Sequence, residues 1–139
     1  MKVFLYYIGK PRDAHLNRIA EDFVQRASRY APTRMQEIRP DRANLHERHP
    51  SAERIYLDPG GRALDSAAFS RLIEKAEMTG RDVVFLVGGA DGLPAACRSQ
   101  AGMLLSLSPM TFPHELARAM LAEQIYRAFA MLRGHPYPR

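Results

Sequence analysis

Short apolar runs and longer stretches with helical spacing follow one another along the chain. Five runs have the length and composition of strands, at residues 3–8, 34–38, 55–57, 83–87 and 103–107. Three longer stretches repeat apolar residues every three or four positions, which is the spacing of one helix face. They cover residues 16–27, 67–76 and 115–133, and a shorter helix is predicted at residues 93–101. Strands that alternate with helices predict an α/β domain with a mainly parallel sheet and helices on both faces.

Capping residues predict where several of these helices begin and end. Asp13 is suited to the N-cap of the first helix and Ser66 to the N-cap of the second, which Gly80 should terminate. Gly134 is suited to the C-cap of the last helix. The unbroken apolar run at residues 83–87 is typical of a central parallel strand that is covered on both faces.

The segment at residues 39–53 is polar, broken by proline and without clear periodicity, so we expect it to be exposed. Its basic residues are suited to contact phosphate, but acidic residues dilute their charge, and a plain solvated segment is the alternative. His46 and His49 have the spacing of one helical face. No further ligand type lies near them in the sequence, and we expect no metal site.

The last helix is apolar on most of its circumference. Leu116, Leu121 and Ile125 lie on one face, while alanines, Tyr126 and Met131 fall elsewhere around it. A helix of this kind is buried on more than one side. In so short a chain, we expect a second copy of the protein to provide the additional cover. Three large side chains are expected to pack against that copy, namely Met120, Tyr126 and Phe129.

Length and composition narrow the class of protein. The 139 residues have the size of a single domain that can form its own core, and 46% of them are hydrophobic. No window approaches the ~18 consecutive apolar residues of a membrane-spanning helix, and the apolar run near the N-terminus is too short for a signal peptide. The single cysteine, Cys97, cannot form an internal disulfide. We therefore expect a cytoplasmic protein.

The net charge of +5 favours an anionic partner. Of the 20 basic residues, 17 are arginines, and the arginine fork binds phosphate oxygens in a bidentate way. Arginine codons of a GC-rich genome explain the same bias equally well. The charge is consistent with RNA binding without requiring it.

Three loops that follow predicted strands have the composition of a ligand site. They are residues 57–61, 88–92 and 107–112. Ligands of parallel sheets bind at the carboxyl ends of the strands, where such loops face each other. None of the three is a P-loop or a GxGxxG turn, and each alone is explained as a structural turn. Together they are apolar and rich in main-chain groups, which suits an adenine and a ribose better than a triphosphate.

Several of these motifs resemble the RlmH family. The resemblance lies in residues 86–93 (LVGGADGL), residues 107–114 (LSPMTFPH) and residues 122–128 (AEQIYRA), and more loosely in the first strand. Members of that family are SPOUT-class methyltransferases of large-subunit ribosomal RNA. The motifs occur in the same order and the resemblance covers nearly the whole chain.

The resemblance implies a fold, a cofactor and a reaction. It implies a single SPOUT domain over residues 1–139 with a C-terminal trefoil knot that holds S-adenosylmethionine. It also implies a homodimer that methylates N3 of a pseudouridine in 23S ribosomal RNA, in the large subunit or the assembled ribosome. The positions that match the family's cofactor contacts are Leu57, Gly88, Leu107, Ser108, Pro109, Met110, Thr111 and Phe112.

The tail after the last helix carries the candidate catalytic residues. Members of the family end in Pro-Tyr-His and a basic residue, and this tail is thought to complete the active site of a partner subunit. Pro136 and Tyr137 match that pattern, but Pro138 stands where the histidine is expected. We therefore assign His135, Tyr137 and Arg139 as catalytic candidates. The alternatives are a solvated tail and a dimeric RNA-binding protein with an altered RNA target or without catalysis.

Overall fold

A five-stranded parallel sheet forms the centre of the molecule. The computed structural model describes residues 1–137, and Pro138 and Arg139 lie outside the described residues. The strands are β1 (Val3–Ile8), β2 (Thr33–Ile38), β3 (Glu53–Ala63), β4 (Val83–Val87) and β5 (Met103–Ser106). They lie in the order β2-β1-β4-β3-β5, and every pairing between them is parallel. The predicted α/β class with a parallel sheet is confirmed.

Within residues 1–137, five helices accompany the sheet and cover its faces unequally. They are α1 (Ala14–Ala27), α2 (Leu45–Arg48), α3 (Ser66–Thr79), α4 (Ala95–Arg98) and α5 (His114–Leu132), and a 3-10 turn lies at Pro40–Arg42. The three long helices pack together on one face of the sheet. The opposite face is covered by α2, α4 and the irregular chain around them.

Strand β4 is the centre of the sheet, as its apolar run predicts. It pairs with β1 on one side and with β3 on the other, and all five of its residues are buried. Residues that alternate along β4 belong to the two separate hydrophobic clusters on either face. A strand that is buried on both faces has no need of polar alternation, which is why its sequence reads as a continuous apolar run.

The helix ends follow the predicted caps with one correction. The Asp13 carboxylate accepts the amides of His15 and Leu16 at 3.0 Å each, so it caps α1 as expected. Gly80 ends α3 in the left-handed region, at φ +67°. The cap of α3 is Asp65, whose Oδ1 accepts the amide of Ala68 at 2.7 Å, and Ser66 is the first helical residue. Both side chains can cap a helix, so composition alone does not separate these neighbours.

The expectation of an exposed segment at residues 39–53 was wrong for its apolar members. Leu45 has no exposed surface, and Ala43 and Ala52 are also buried. Together they cover Tyr6 and Leu86 on the second face of the sheet. Because these contacts come from isolated residues between polar ones, they leave no periodic signal in the sequence.

Strand β3 is longer than its apolar core. The three predicted residues continue to Ala63, and the register with β5 shifts between Leu57 and Arg62. The four residues of the predicted turn, 58–61, are therefore an irregularity within β3. A Cβ atom on Gly61 would lie 2.7 Å from the carbonyl of Leu104, so only glycine allows the two strands to approach this closely.

The apolar circumference of α5 is covered largely by the same chain. Helix α5 packs between α1 and α3 and over the sheet. Phe129 is fully buried and Tyr126 is 8% exposed, so neither side chain needs a second copy for its burial. The expectation that Phe129 packs against a partner was wrong, because its own chain already covers it completely. The packing of Met120 and Tyr126 against a second copy stays a prediction.

No helix within residues 1–137 is long and apolar enough to cross a membrane. The trefoil knot that the family resemblance implies stays a prediction.

Candidate functional site

A cavity of about 560 Å³ opens at the carboxyl ends of β3, β4 and β5. This volume is typical of small-molecule sites. The three predicted loops and the amino-terminal end of α5 line it together. Seven of the eight predicted cofactor contacts are among its lining residues, namely Leu57, Gly88, Leu107, Ser108, Met110, Thr111 and Phe112. The eighth, Pro109, lies in the same loop but does not line the cavity.

The loop after β4 is closed so tightly that its first glycine cannot carry a side chain. A Cβ atom on Gly88 would lie 2.4 Å from the carbonyl carbon of Gly92. Gly92 has φ +76°, and its amide donates to the carbonyl of Gly89 at 2.9 Å. Gly88 therefore lies against Gly92 of its own loop. Because it has no side chain, Gly88 contributes only main-chain groups to the cavity wall.

Two serines shape the loop after β5. The Ser106 hydroxyl donates to the carbonyl of Ser108 at 2.9 Å, and the Ser108 hydroxyl accepts the amide of Met110 at 3.0 Å. Prolines at 109 and 113 restrict the backbone further. Met110 lines the cavity although 73% of its surface is exposed, so it forms part of the cavity mouth.

Charged groups are few around the cavity. Asp58 is the one carboxylate among the lining residues, and its Oδ1 pairs with the guanidinium of Arg98 at 2.6 Å. Its Oδ2 accepts the amide of Gly60 at 3.0 Å. His114, at the start of α5, is the other ionisable lining residue. This apolar, main-chain-rich wall suits an uncharged ring and a sugar.

Asp58 was not among the predicted contacts. The prediction assigned the loop around it and left out its carboxylate, because an Asp-Pro-Gly-Gly sequence also indicates an ordinary turn.

The start of α5 is held to the loop between β1 and α1. The Glu115 carboxylate accepts the amide of Arg12 at 2.9 Å and the amide of Asp13 at 3.3 Å. One turn later, the 2% exposed Arg118 donates to Asn17 at 2.9 Å and stacks over the Tyr7 ring at 3.8 Å. These contacts fix the amino-terminal end of α5, and with it His114 beside the cavity.

The tail packs onto the far part of α5. The Tyr137 hydroxyl donates to Oε2 of Glu123 at 2.7 Å, and the Arg127 guanidinium lies 4.8 Å from the Tyr137 ring. Arg127 also pairs with Glu123 at 2.6 Å, and the Tyr126 ring meets Tyr137 edge-on at 4.7 Å. The prediction that residues after 133 offer almost nothing to a core was therefore wrong for Tyr137, which packs against the main hydrophobic cluster.

The contacts of Tyr137 also affect its ionisation. Burial of the ring, together with the hydrogen bond to Glu123 and the charge of that carboxylate, raises the pKa of Tyr137 to about 12. The phenol therefore stays a hydrogen-bond donor throughout the neutral pH range.

The cavity and the tail are not brought together within one chain. The His135 amide donates to the carbonyl of Ala130 at 2.8 Å, and Ala130 lies 16 residues beyond His114 on α5. At ~1.5 Å per residue, that separation is about 24 Å along the helix axis. Neither His135 nor Tyr137 lines the cavity, and the third candidate, Arg139, lies outside the described residues.

Comparisons with known proteins show the family to which this chain belongs. A family model described as "Predicted SPOUT methyltransferase" matches residues 1–138. The chain belongs to the SPOUT methyltransferase family. The chain is also 64% identical, over the full length of both proteins, to the ribosomal RNA large subunit methyltransferase H of Solibacter usitatus. The resemblance to the RlmH family is thereby confirmed.

Solved structures show that the fold of this SPOUT methyltransferase is shared. A probable methylase family protein from Haemophilus influenzae matches with a TM-score of 0.67 and 8% identity, over 99% of this chain and 70% of that one. The SpoU methyltransferase AviRb of Streptomyces viridochromogenes, solved with AdoMet, matches with a TM-score of 0.50 and 13% identity. That match covers 91% of this chain and 57% of AviRb.

Proposed function

We propose that this chain, as a single SPOUT domain over residues 1–139, uses S-adenosylmethionine to methylate N3 of a pseudouridine in 23S ribosomal RNA. The observation that carries the proposal is the cavity. Its wall combines the three loops that the family motifs predict, in a chain that matches ribosomal RNA large subunit methyltransferase H along its full length. A cytoplasmic location follows from that substrate.

The cavity is suited to S-adenosylmethionine in size and chemistry. Main-chain groups around Gly88 and residues 107–112 can bind the adenine edge, and the apolar side chains of Leu57 and Phe112 can pack against its faces. No lysine or arginine lines the described cavity, so no permanent positive charge in its wall repels a sulfonium cation. When bound, the cofactor supplies an activated methyl group. The residues of the chain then have to position the base and exclude water.

A second copy would bring the catalytic candidates to the cavity. Neither His135 nor Tyr137 lines the cavity of its own chain. Two exposed methionines support this arrangement, because Met110 stands at the cavity mouth and Met131 beside the tail. A homodimer in which the tail end of one copy meets the cavity end of the other would cover both.

The tail has groups that suit the loss of the N3 proton. The pseudouridine nitrogen must lose a proton before or during methyl transfer, and cations near the base favour its anion. Arg139 would supply such a charge. Tyr137, whose hydroxyl donates to Glu123, would orient the base through its ring, and His135 is the candidate proton acceptor in place of the family histidine.

Methyl transfer to ribosomes that lack the modification tests the function directly. The expected result is one methyl group per ribosome at a single pseudouridine, located by mapping the modified nucleotide, together with S-adenosylmethionine binding by calorimetry. Binding of the cofactor without transfer to any ribosomal RNA would favour the RNA-binding alternative. If the intact protein binds no S-adenosylmethionine, the methyltransferase proposal is wrong.

Assembly is tested by a charge placed beside the tail. Met131→Glu should shift the protein towards monomers in light scattering, because it places a carboxylate in the proposed interface. Met78→Glu is the matched control, since Met78 is 81% exposed on α3 and outside that interface. A stable monomer of the unmodified protein at micromolar concentration would contradict the dimer.

A further inference from the structure

The loop between β1 and α1, residues 9–13, runs between two segments that line the cavity. Gly9 turns the chain at the end of β1 with φ +98°, and Pro11 stiffens the middle of the loop. Asp13 then caps α1. The loop thus lies at the same edge of the sheet as the cavity, although none of its residues is part of the cavity wall.

Contacts at both ends of the loop place it beside the cavity. At its start, the carbonyl of Ile8 lies 3.1 Å from the position of a Cβ on Gly89, which lines the cavity. At its end, the Glu115 carboxylate accepts the amides of Arg12 and Asp13, next to the cavity-lining His114. The loop backbone is therefore fixed at the rim by both neighbours.

Two cations extend from this fixed backbone without an intramolecular partner. Lys10 and Arg12 are exposed, and within residues 1–137 their side chains make no hydrogen bond, ion pair or ring contact. Six other arginines within residues 1–137 pair with a carboxylate. These paired arginines are Arg39, Arg81, Arg98, Arg118, Arg127 and Arg133.

We propose that Lys10 and Arg12 bind phosphate groups of the substrate RNA next to the nucleotide that enters the cavity. This inference rests on the proposed function and adds residues that contact the RNA. The described cavity wall holds no lysine or arginine, and Arg98 beside it is paired with Asp58, so the rim supplies two unpaired cations to the backbone of a strand that places one base in the cavity. Contacts between cations and phosphates fix the register of a nucleic acid without reading its sequence. Because the loop backbone is already ordered, binding orders only two side chains.

Charge reversal at the rim tests the proposal. Lys10→Glu and Arg12→Glu should each weaken RNA binding about tenfold at moderate salt. In each variant, the plot of log affinity against log salt concentration should also be less steep by roughly 1, the value for one lost phosphate contact. The readouts are the KM for ribosomes and the direct binding of a 23S RNA fragment. Affinity for S-adenosylmethionine, measured by calorimetry, should stay unchanged.

Arg29→Glu is the matched control. Arg29 is exposed, has no carboxylate partner among the described residues, and lies between α1 and β2, at the opposite edge of the sheet from the cavity. It alters the net charge as much as the rim variants do, so it measures the effect of overall charge alone. We expect its salt slope to stay near that of the parent.

The outcomes separate this inference from the proposed function. Equal losses for Arg29→Glu and the rim variants would overturn the inference, because net charge would then account for the effect. Loss of cofactor affinity in the rim variants would overturn it as well, since the loop would then be structural. Lys10→Gln and Arg12→Gln repeat the test with neutral side chains should a reversed charge disturb folding. If the parent binds RNA but transfers no methyl group, the proposed reaction fails while the binding comparison still tests the rim.

Discussion

The two ends of α5 differ in almost every respect. At its amino-terminal end, the helix closes a cavity whose wall is apolar, rich in glycine and built largely from main-chain groups. Further towards its carboxyl-terminal end, Glu123 and Arg127 form a compact polar cluster with Tyr137 of the tail. The first end is suited to hold a cofactor and the second to present ionisable groups. Glu123 lies nine residues beyond His114, about 14 Å along the same rigid helix, and neither Glu123 nor Tyr137 lines the cavity, so a single chain does not bring the two regions onto the same atom.

Mixing two inactive variants tests this separation with the largest expected effect. Deletion of residues 134–139 should lower methyl transfer by about 10²–10⁴-fold, the range for loss of acid–base groups. It should also lower the free energy of unfolding by roughly 1–2 kcal/mol, because the half-buried Tyr137 loses its packing. Gly88→Ala should also be inactive, because it keeps the tail but disturbs the cavity. Mixed dimers carry one intact cavity and one intact tail, so combining the variants should restore methyl transfer.

Activity in the truncated protein alone would show that the tail is a solvated end. If mixing restores nothing although both variants form dimers, the cavity and the tail do not act across copies.

Gly88→Ala by itself tests how strictly the cavity end depends on a bare main chain. The added Cβ would lie 2.4 Å from Gly92, so the loop must shift, at a cost of about 1–3 kcal/mol in stability. Calorimetry should show at least a tenfold loss of S-adenosylmethionine affinity, which is about 1.4 kcal/mol. Gly60→Ala is the control, because its Cβ would meet only the end of the Asp58 side chain, at 3.2 Å. Equal affinities for the two variants would show that the backbone around Gly88 does not contact the cofactor.

Glu123→Gln tests the tail end with a smaller change. The amide can still accept from Tyr137 but loses the charge that binds Arg127, so we expect methyl transfer to fall about tenfold, equivalent to ~1.4 kcal/mol. Glu77→Gln is the matched control, since Glu77 also pairs with an arginine, Arg133, which follows the last residue of α5. In the protein truncated after residue 133, Glu123→Gln should have no further effect. An additional loss in that background would mean that Glu123 does not act through the tail.

The smallest expected effect is that of Tyr137→Phe on the pH dependence of stability. The pKa of Tyr137 is raised to about 12, against about 10 for an unfolded chain, so the folded state favours the protonated phenol. Its contribution is complete below pH ~10 and is lost as the pH rises from there towards 12. Tyr137→Phe should therefore make thermal stability fall less steeply in this range. Tyr56, whose pKa is also raised to about 12, contributes to the dependence that remains, as do Tyr6 and Cys97, whose pKa values are raised by burial. An unchanged slope in Tyr137→Phe would show that the phenol is not held as described.

Sequence reasoning succeeded where local chemistry decides the structure. The Asp13 cap, the buried run of β4 and the loops of the cavity follow from residue types over a few positions. It failed where distant segments decide. Leu45 is buried only because the second sheet face needs cover, and Phe129 is covered completely by its own chain. The contact between the tail and α5 could not be predicted either, because Glu123 and Tyr137 meet only after the chain turns back at Gly134.

The packing of α5 against α1 has a consequence for biosynthesis. The apolar stripe of α1, which includes Ala20 and Ala27, is covered by a helix that begins 87 residues after α1 ends. At ~5–20 residues per second, translation takes roughly 4–17 seconds to cross that interval. The stripe of α1 and the part of the sheet face beneath α5 lack this cover during that time. We therefore expect the apolar stripe of α1 to remain exposed on the nascent chain until α5 has been made.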